Sequence, residues 1–111
     1  HHLLRAQPFV ELARAVDWSV LAAEQAVTEH AHEEAAWFYK SALEASVNVP
    51  GFAPEARFEL MLAHGLACHN AGELALALQS RAEAMEFARG RGIGRDVARA
   101  IMSAEKSTPT P

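Results

Sequence analysis

One motif occurs twice in this chain, about forty residues apart, and it restricts the fold more than any other feature. The first copy is Ala35-Ala-Trp-Phe-Tyr39-Lys-Ser-Ala42-Leu43. The second is Gly72-Glu-Leu-Ala-Leu-Ala77-Leu-Gln-Ser-Arg81-Ala-Glu-Ala84-Met85. In each, two alanines stand seven residues apart, with a large side chain between them and an apolar residue just after. Seven residues is close to two helical turns, so both alanines fall on one face, where a second helix can approach closely. A recurring unit of this kind points to stacked antiparallel helical hairpins, which bury their apolar faces only against one another.

Composition agrees. Of 111 residues, 24 are alanine, and Leu, Glu, Gln and Arg supply much of the rest, all good helix formers. β-branched runs suited to strands are absent. The fold class expected is all-α, with about five helices in one domain over residues 1–105 and a disordered tail over 106–111.

The first helix is expected to start near Pro8, which suits a first turn. Its apolar stripe is Leu12, Val16, Val20, Ala23 and Val27, broadened by Trp18 and Leu21. A polar turn at 28–32 leads to a second helix from about Glu33 to Ser46. Tyr39, Ala42 and Leu43 lie on its inner side, and Trp37 and Phe38 extend the buried arc. Asn48-Val-Pro50-Gly51-Phe-Ala-Pro54 must break the helix. Pro54 opens a third, with Phe58, Leu62 and Leu66 in one line and Met61, Gly65 and Cys68 in the next. Asn70-Ala71-Gly72 turns into a fourth helix, about Glu73 to Arg89, with Leu74, Ala77, Leu78, Met85 and Ala88 apolar. The hairpins thus span about 8–47 and 54–90. Gly90-Arg-Gly92-Ile-Gly94 connects to a partial third unit over 95–105, whose Val97, Ala98, Ile101 and Met102 are apolar.

Charge excludes some functions. The net charge is −4, and neither half is basic enough to predict contact with nucleic acid. No apolar stretch is long enough to span a membrane. A single cysteine excludes an internal disulfide and fits a reducing, cytoplasmic setting. The start, His1-His2-Leu-Leu, is not a signal peptide; its histidines read as native or as the end of a purification tag, and the lack of a start methionine suggests a piece of something larger.

The pattern resembles the tetratricopeptide repeat. That repeat takes a small residue midway in its first helix, a glycine at the turn and two alanines in the second helix. Gly65, Gly72, Ala77 and Ala84 supply all four in the second hairpin. Ala23, Ala35 and Ala42 supply three in the first, where His30 replaces the turn glycine. Cys68 and Arg81 stand where an aromatic is usual, and the long loop at 48–53 stretches the repeat beyond its usual length of about thirty-four residues. The segments His2–Ala6, Ala22–Ala26, His32–Ala36, Tyr39–Ala45, Glu55–Gly65, Ala71–Glu73 and Arg99-Ala100 occur in an order that resembles the helical-repeat region of large bacterial ATP-binding regulators. Many of those end in a LuxR-type helix-turn-helix, and relatives carry a nucleotide cyclase domain. The resemblance implies a repeat module that senses a ligand or partner. No Gly-x-x-x-x-Gly-Lys-Ser/Thr loop and no recognition helix occur here.

His64, Cys68 and His69 are the candidate metal ligands, with His30 and His32 in reserve. His64 and Cys68 share a helix face at i, i+4 and offer two ligands to zinc, but a structural site needs four, and ordinary packing accounts for both. The glycines of 90–94 read as a connector, since no strand precedes them. Arg81, Arg89, Arg91, Arg95 and Arg99 are interspersed with Glu83, Glu86 and Asp96, the pattern of a solvated face. Glu33 and Glu34 are adjacent, point apart and give acid–base catalysis no support.

The expected function is therefore non-catalytic: a repeat module, with no cofactor and no metal, for protein contacts or signal relay within a larger regulator. The alternative is an effector molecule held between the hairpins by Trp37, Tyr39 and Arg81. Val97, Ile101 and Met102, lacking a following unit, suggest a homodimer through the C-terminal end.

Overall fold

The computed structural model describes residues 2–91, with side chains described from Val10 onward. Four helices follow one another: α1 (His2–Thr28), α2 (His32–Ser46), α3 (Pro54–Asn70) and α4 (Leu74–Gly90). The described residues contain no strand. Each helix packs extensively only on its neighbours in sequence, α1 on α2, α2 on α3 and α3 on α4. The fifth helix expected over 95–104, the 90–94 connector beyond Arg91 and the tail lie outside the described residues.

The two hairpins repeat in structure as well as in sequence. Ala23 and Gly65, Ala35 and Ala77, and Ala42 and Ala84 are each 42 residues apart. The same offset relates the two turns. His30 (φ 61°) and Gly72 (φ 84°) both adopt the left-handed conformation. In the first turn the Ala31 N–H donates to the Ala26 carbonyl at 2.8 Å and the His30 N–H to the Val27 carbonyl at 3.0 Å. In the second, Glu73 donates to Cys68 at 2.9 Å and Gly72 to His69 at 3.0 Å. This bonding satisfies carbonyls in the last turn of the first helix of each hairpin. The next helix then starts from the same backbone angles, −89° and 71° at Ala31 and −91° and 71° at Glu73. A left-handed residue other than glycine costs about 1–2 kcal/mol, so His30 holds a turn that its side chain disfavours.

The connector between hairpins, residues 47–53, is held by Phe52 and by Arg57 of α3. Phe52 is half-buried, and the Arg57 guanidinium lies 5.7 Å from the centre of its ring. Arg57 also donates from Nη2 to the Ser46 carbonyl at 3.0 Å, near the end of α2. One arginine on α3 thereby ties the loop to the preceding hairpin. Pro54 occupies the first turn of α3, where its missing N–H leaves no helical bond unmade.

Small residues form the seams. Ala23, Ala35 and Ala42 in the first hairpin, and Ala77, Ala84 and Ala88 in the second, are fully buried. Phe58 and Leu62 fill the space beside Ala84 and Ala88. Burying a side chain the size of Phe58 contributes about 2–3 kcal/mol.

Several expected core positions face outward instead. Trp18 and Leu21 on α1 are exposed, as is Val27 in its last turn; Trp37 on α2, Leu66 on α3, and Leu74 and Leu78 on α4 are exposed too. The reason is angular. At about 100° per residue, Trp18 sits roughly 200° from buried Val16, and Trp37 roughly 200° from buried Ala35. A helix end also differs from the expected one: α1 begins at His2, six residues ahead of Pro8.

Candidate functional site

The best-formed concavity is a groove of about 400 Å³ running over α3 between α2 and α4. Each helix contributes one stripe of its surface. On α2 these are Lys40, Leu43 and Glu44, continued by Val47 just past its end; on α3, Arg57, Met61 and His64; on α4, Leu76, Gln79, Ser80 and Glu83. Spacings of three, four and seven put each set on a single helical face. Leu43, Val47, Met61 and Leu76 make the surface chiefly apolar, and Val47 and Leu76 remain exposed. The charges at the rim, Lys40, Glu44 and Glu83 with Arg57 deeper, are mixed in sign. Trp37 belongs to the same stripe of α2, three residues before Lys40 and seven before Glu44, and its ring meets Phe38 edge to face at 5.2 Å.

One wall of the groove is backed by a directed chain of hydrogen bonds. Ser80 Oγ lies 3.1 Å from the Met61 carbonyl, which can only accept, so the hydroxyl donates there. Its lone pair then accepts from His64 Nδ1–H at 3.0 Å. That assignment leaves His64 Nε2 unprotonated and able to accept the Cys68 thiol, 3.5 Å away. The chain crosses from α4 to α3 and needs every member neutral.

The electrostatics match that requirement. Burial, followed by the positive charge of Lys40, lowers the His64 pKa below its ordinary value, against opposing pulls from Glu83 and Glu73. Burial and then Glu73 raise the Cys68 pKa, with Lys40 acting the other way. Both shifts oppose a thiolate–imidazolium pair, the form a cysteine nucleophile requires. The Cys–His contact is a packed polar link within α3, and Ser80 joins it to α4.

The candidate metal ligands do not converge. His64 and Cys68 meet, but His69 does not complete a set: among the described residues no group of three or more His, Cys, Asp or Glu is placed to hold a metal ion. His69 Nδ1 is buried without a hydrogen-bond partner. His30 and His32 lie edge to face at 6.0 Å in a separate polar cleft with Glu33, Glu34 and Asn70.

The expected trio of Trp37, Tyr39 and Arg81 is not brought together as a ligand site. Tyr39 is buried in the core, where burial and then Glu24 raise its hydroxyl pKa. Arg81 is half-buried on α4, with its Cγ near Gly65. Neither lines the groove. Among the arginines read as part of a solvated face, Arg89 pairs with Glu86 at 3.7 Å and Arg91 lies 5.4 Å from the Phe87 ring centre; Arg95 and Arg99 lie outside the described residues. The groove-lining residues Val47, Arg57, Leu76, Gln79 and Glu83 were missed as a site because none of them is a position that defines the repeat. Their signal is three short stripes at helical spacing, which sequence alone does not bring face to face.

Comparison with protein-family models, with curated proteins and with solved structures gives no match for this chain. Among the described residues no helix is long and apolar enough to cross a membrane.

Proposed function

We propose that this chain is a non-catalytic helical-repeat module that binds a segment of a protein partner in the groove over α3. The observation that carries this reading is the groove's construction: three helical stripes converge on a chiefly apolar trough whose Val47 and Leu76 are left uncovered. Such a surface suits the apolar face of an amphipathic helix, which anchors through residues three and four apart. Lys40, Glu44 and Glu83 at the rim select the partner's flanking charges, and Trp37 offers an aromatic anchor at one end of the trough.

The neutral His64–Cys68 pair favours a binding role over covalent catalysis. The ordered resemblance to bacterial ATP-binding regulators supports placing the module inside a larger cytoplasmic regulator, as a tetratricopeptide-like array whose partner is another domain of the same protein or a separate protein.

A displayed peptide library selected on the full chain tests the reading. The expected outcome is a set of amphipathic segments whose binding is weakened about tenfold or more by Leu76→Glu or Val47→Glu. Selection of no segment, or of segments that bind these variants equally well, refutes it.

A second reading, an effector molecule in the same groove, is favoured by the volume, which falls within the roughly 300–1,000 Å³ of small-ligand sites. Thermal-shift screening against a metabolite set separates the two, since a ligand of the folded state raises Tm while library peptides compete with it.

A further inference from the structure

The 42-residue offset allows a comparison that a single hairpin would not. Helices α2 and α3 each pack against two neighbours, whereas α1 and α4, among the described residues, each pack against one. Differences in burial between equivalent positions therefore locate the contact between hairpins. On α2, Ala36 is 8% exposed; its counterpart on α4, Leu78, is 62% exposed. On α3, Leu60 is 8% exposed; its counterpart on α1, Trp18, is 71% exposed. Ala63 is half-buried while its counterpart Leu21 is exposed, and Ala67 is buried while Gln25 is exposed. Ala36, Leu60 and Ala67 belong to one buried cluster, with Ala63 packed against it. The face of α2 around Ala36 thus meets the face of α3 around Leu60.

It follows that, among the described residues, α1 and α4 each carry one uncovered half of that interface. The α1 half presents Trp18 and Leu21, and the α4 half presents Leu78 with half-buried Met85 beside it. Trp18, Leu21 and Leu78 are apolar where solvent-facing helix surface would ordinarily be polar. They lie on the first and last described helices of the array, so a twofold axis through either face would pair it with itself and leave the complementarity unused.

We propose that the chain stacks on a second copy head to tail, with the Trp18–Leu21 face of α1 seated on the Leu78 face of α4, in the register that seats α3 on α2. The occupant is a second copy because every copy carries both halves of a contact that the molecule already forms internally. Such an assembly is heterologous, and it grows beyond a dimer unless the rotation between copies closes a ring. It extends the array of hairpins, and none of Trp18, Leu21 and Leu78 lines the groove over α3.

Sedimentation of the full chain from micromolar to millimolar concentration tests this. The expected result is a mass that rises steadily with concentration. In a Trp37→Phe chain, the fluorescence of the remaining Trp18 shifts to the blue over the same range. Trp18→Glu and Leu78→Glu each leave the chain monomeric, while their equimolar mixture forms a one-to-one complex, because each variant retains the half that the other has lost. Both side chains are exposed, so the variants keep their helical circular dichroism; Trp18→Ser and Leu78→Ser serve as uncharged replacements. A wild-type chain that stays monomeric throughout, as it would if residues 92–111 covered α4, overturns the proposal. So does a single variant that associates like wild type, or a mixture that forms no complex.

Discussion

Replacing Gly65 with alanine should stabilise this protein, although the glycine sits buried where α4 crosses α3. A Cβ added there would lie 3.4 Å from Arg81 Cγ, 3.5 Å from Ser80 Cβ and 3.7 Å from the Ala77 carbonyl oxygen. These are ordinary contacts, and the tightest is to the stem of a flexible side chain. The counterpart in the first hairpin, Ala23, already carries a methyl group at full burial. Removing a glycine from a helix interior contributes about 1 kcal/mol, and burying one methyl about 0.8 kcal/mol more. A small shift of Arg81 offsets roughly 0.5 kcal/mol of that, by analogy with mild overpacking. The net gain is about 1 kcal/mol, or a rise in Tm of roughly 4 °C for a domain of this size. Urea titration followed by circular dichroism gives the difference directly. Gly65→Leu, in contrast, should destabilise by about 1–3 kcal/mol, because no space exists for the extra atoms. If Gly65→Ala destabilises by 1 kcal/mol or more, the two hairpins are not equivalent at this seam, and the reasoning from the 42-residue register fails.

The turn residues should respond with opposite signs. His30→Gly relieves the left-handed strain and stabilises by about 0.5–1 kcal/mol after the entropy of the unfolded glycine is counted, whereas Gly72→Ala introduces that strain and costs about 1 kcal/mol; chemical denaturation of both variants checks this. Stability should also fall at both ends of the pH range. The folded chain holds the His64 pKa below its ordinary 6.5, so the unfolded state binds the proton first, and stability present above pH 6.5 is lost as the pH falls toward the folded value. Cys68 and Tyr39 are raised above their ordinary 9.0 and 10.0, so their contribution is complete below those values and is lost as the pH rises past them. Urea midpoints measured across pH test both limbs, and His64→Asn should flatten the acidic one.

The hairpins were legible because their signals are local. Alanines seven apart mark a seam on any helix, Pro54 marks a first turn and Gly72 a left-handed stop, so α2, α3 and α4 fall within about a residue of where the pattern puts them. The turn at His30 was harder to read, since nothing in that side chain announces a left-handed backbone; its kinship with Gly72 emerges only from matching hydrogen bonds. The large apolar residues misled. Trp18, Leu21, Trp37 and Leu78 look like core by composition, yet each stands away from its helix's alanine seam and is exposed. Among the candidate site residues, His64 and Cys68 were paired by spacing, but their third member, Ser80, comes from another helix and has no sequence signal.

What the chain alone determines is the set of helices, the small-residue seams and the two copies of one unit. All of these depend on residues within one or two turns of each other, where periodicity is a sufficient guide. What only the tertiary structure decided is which stripes face one another. The groove draws on α2, α3 and α4 together, and the uncovered faces of α1 and α4 become visible only by comparing each helix with its better-packed counterpart. Burial depends on how many neighbours a helix has, and that number is a property of the assembled hairpins rather than of any segment within them.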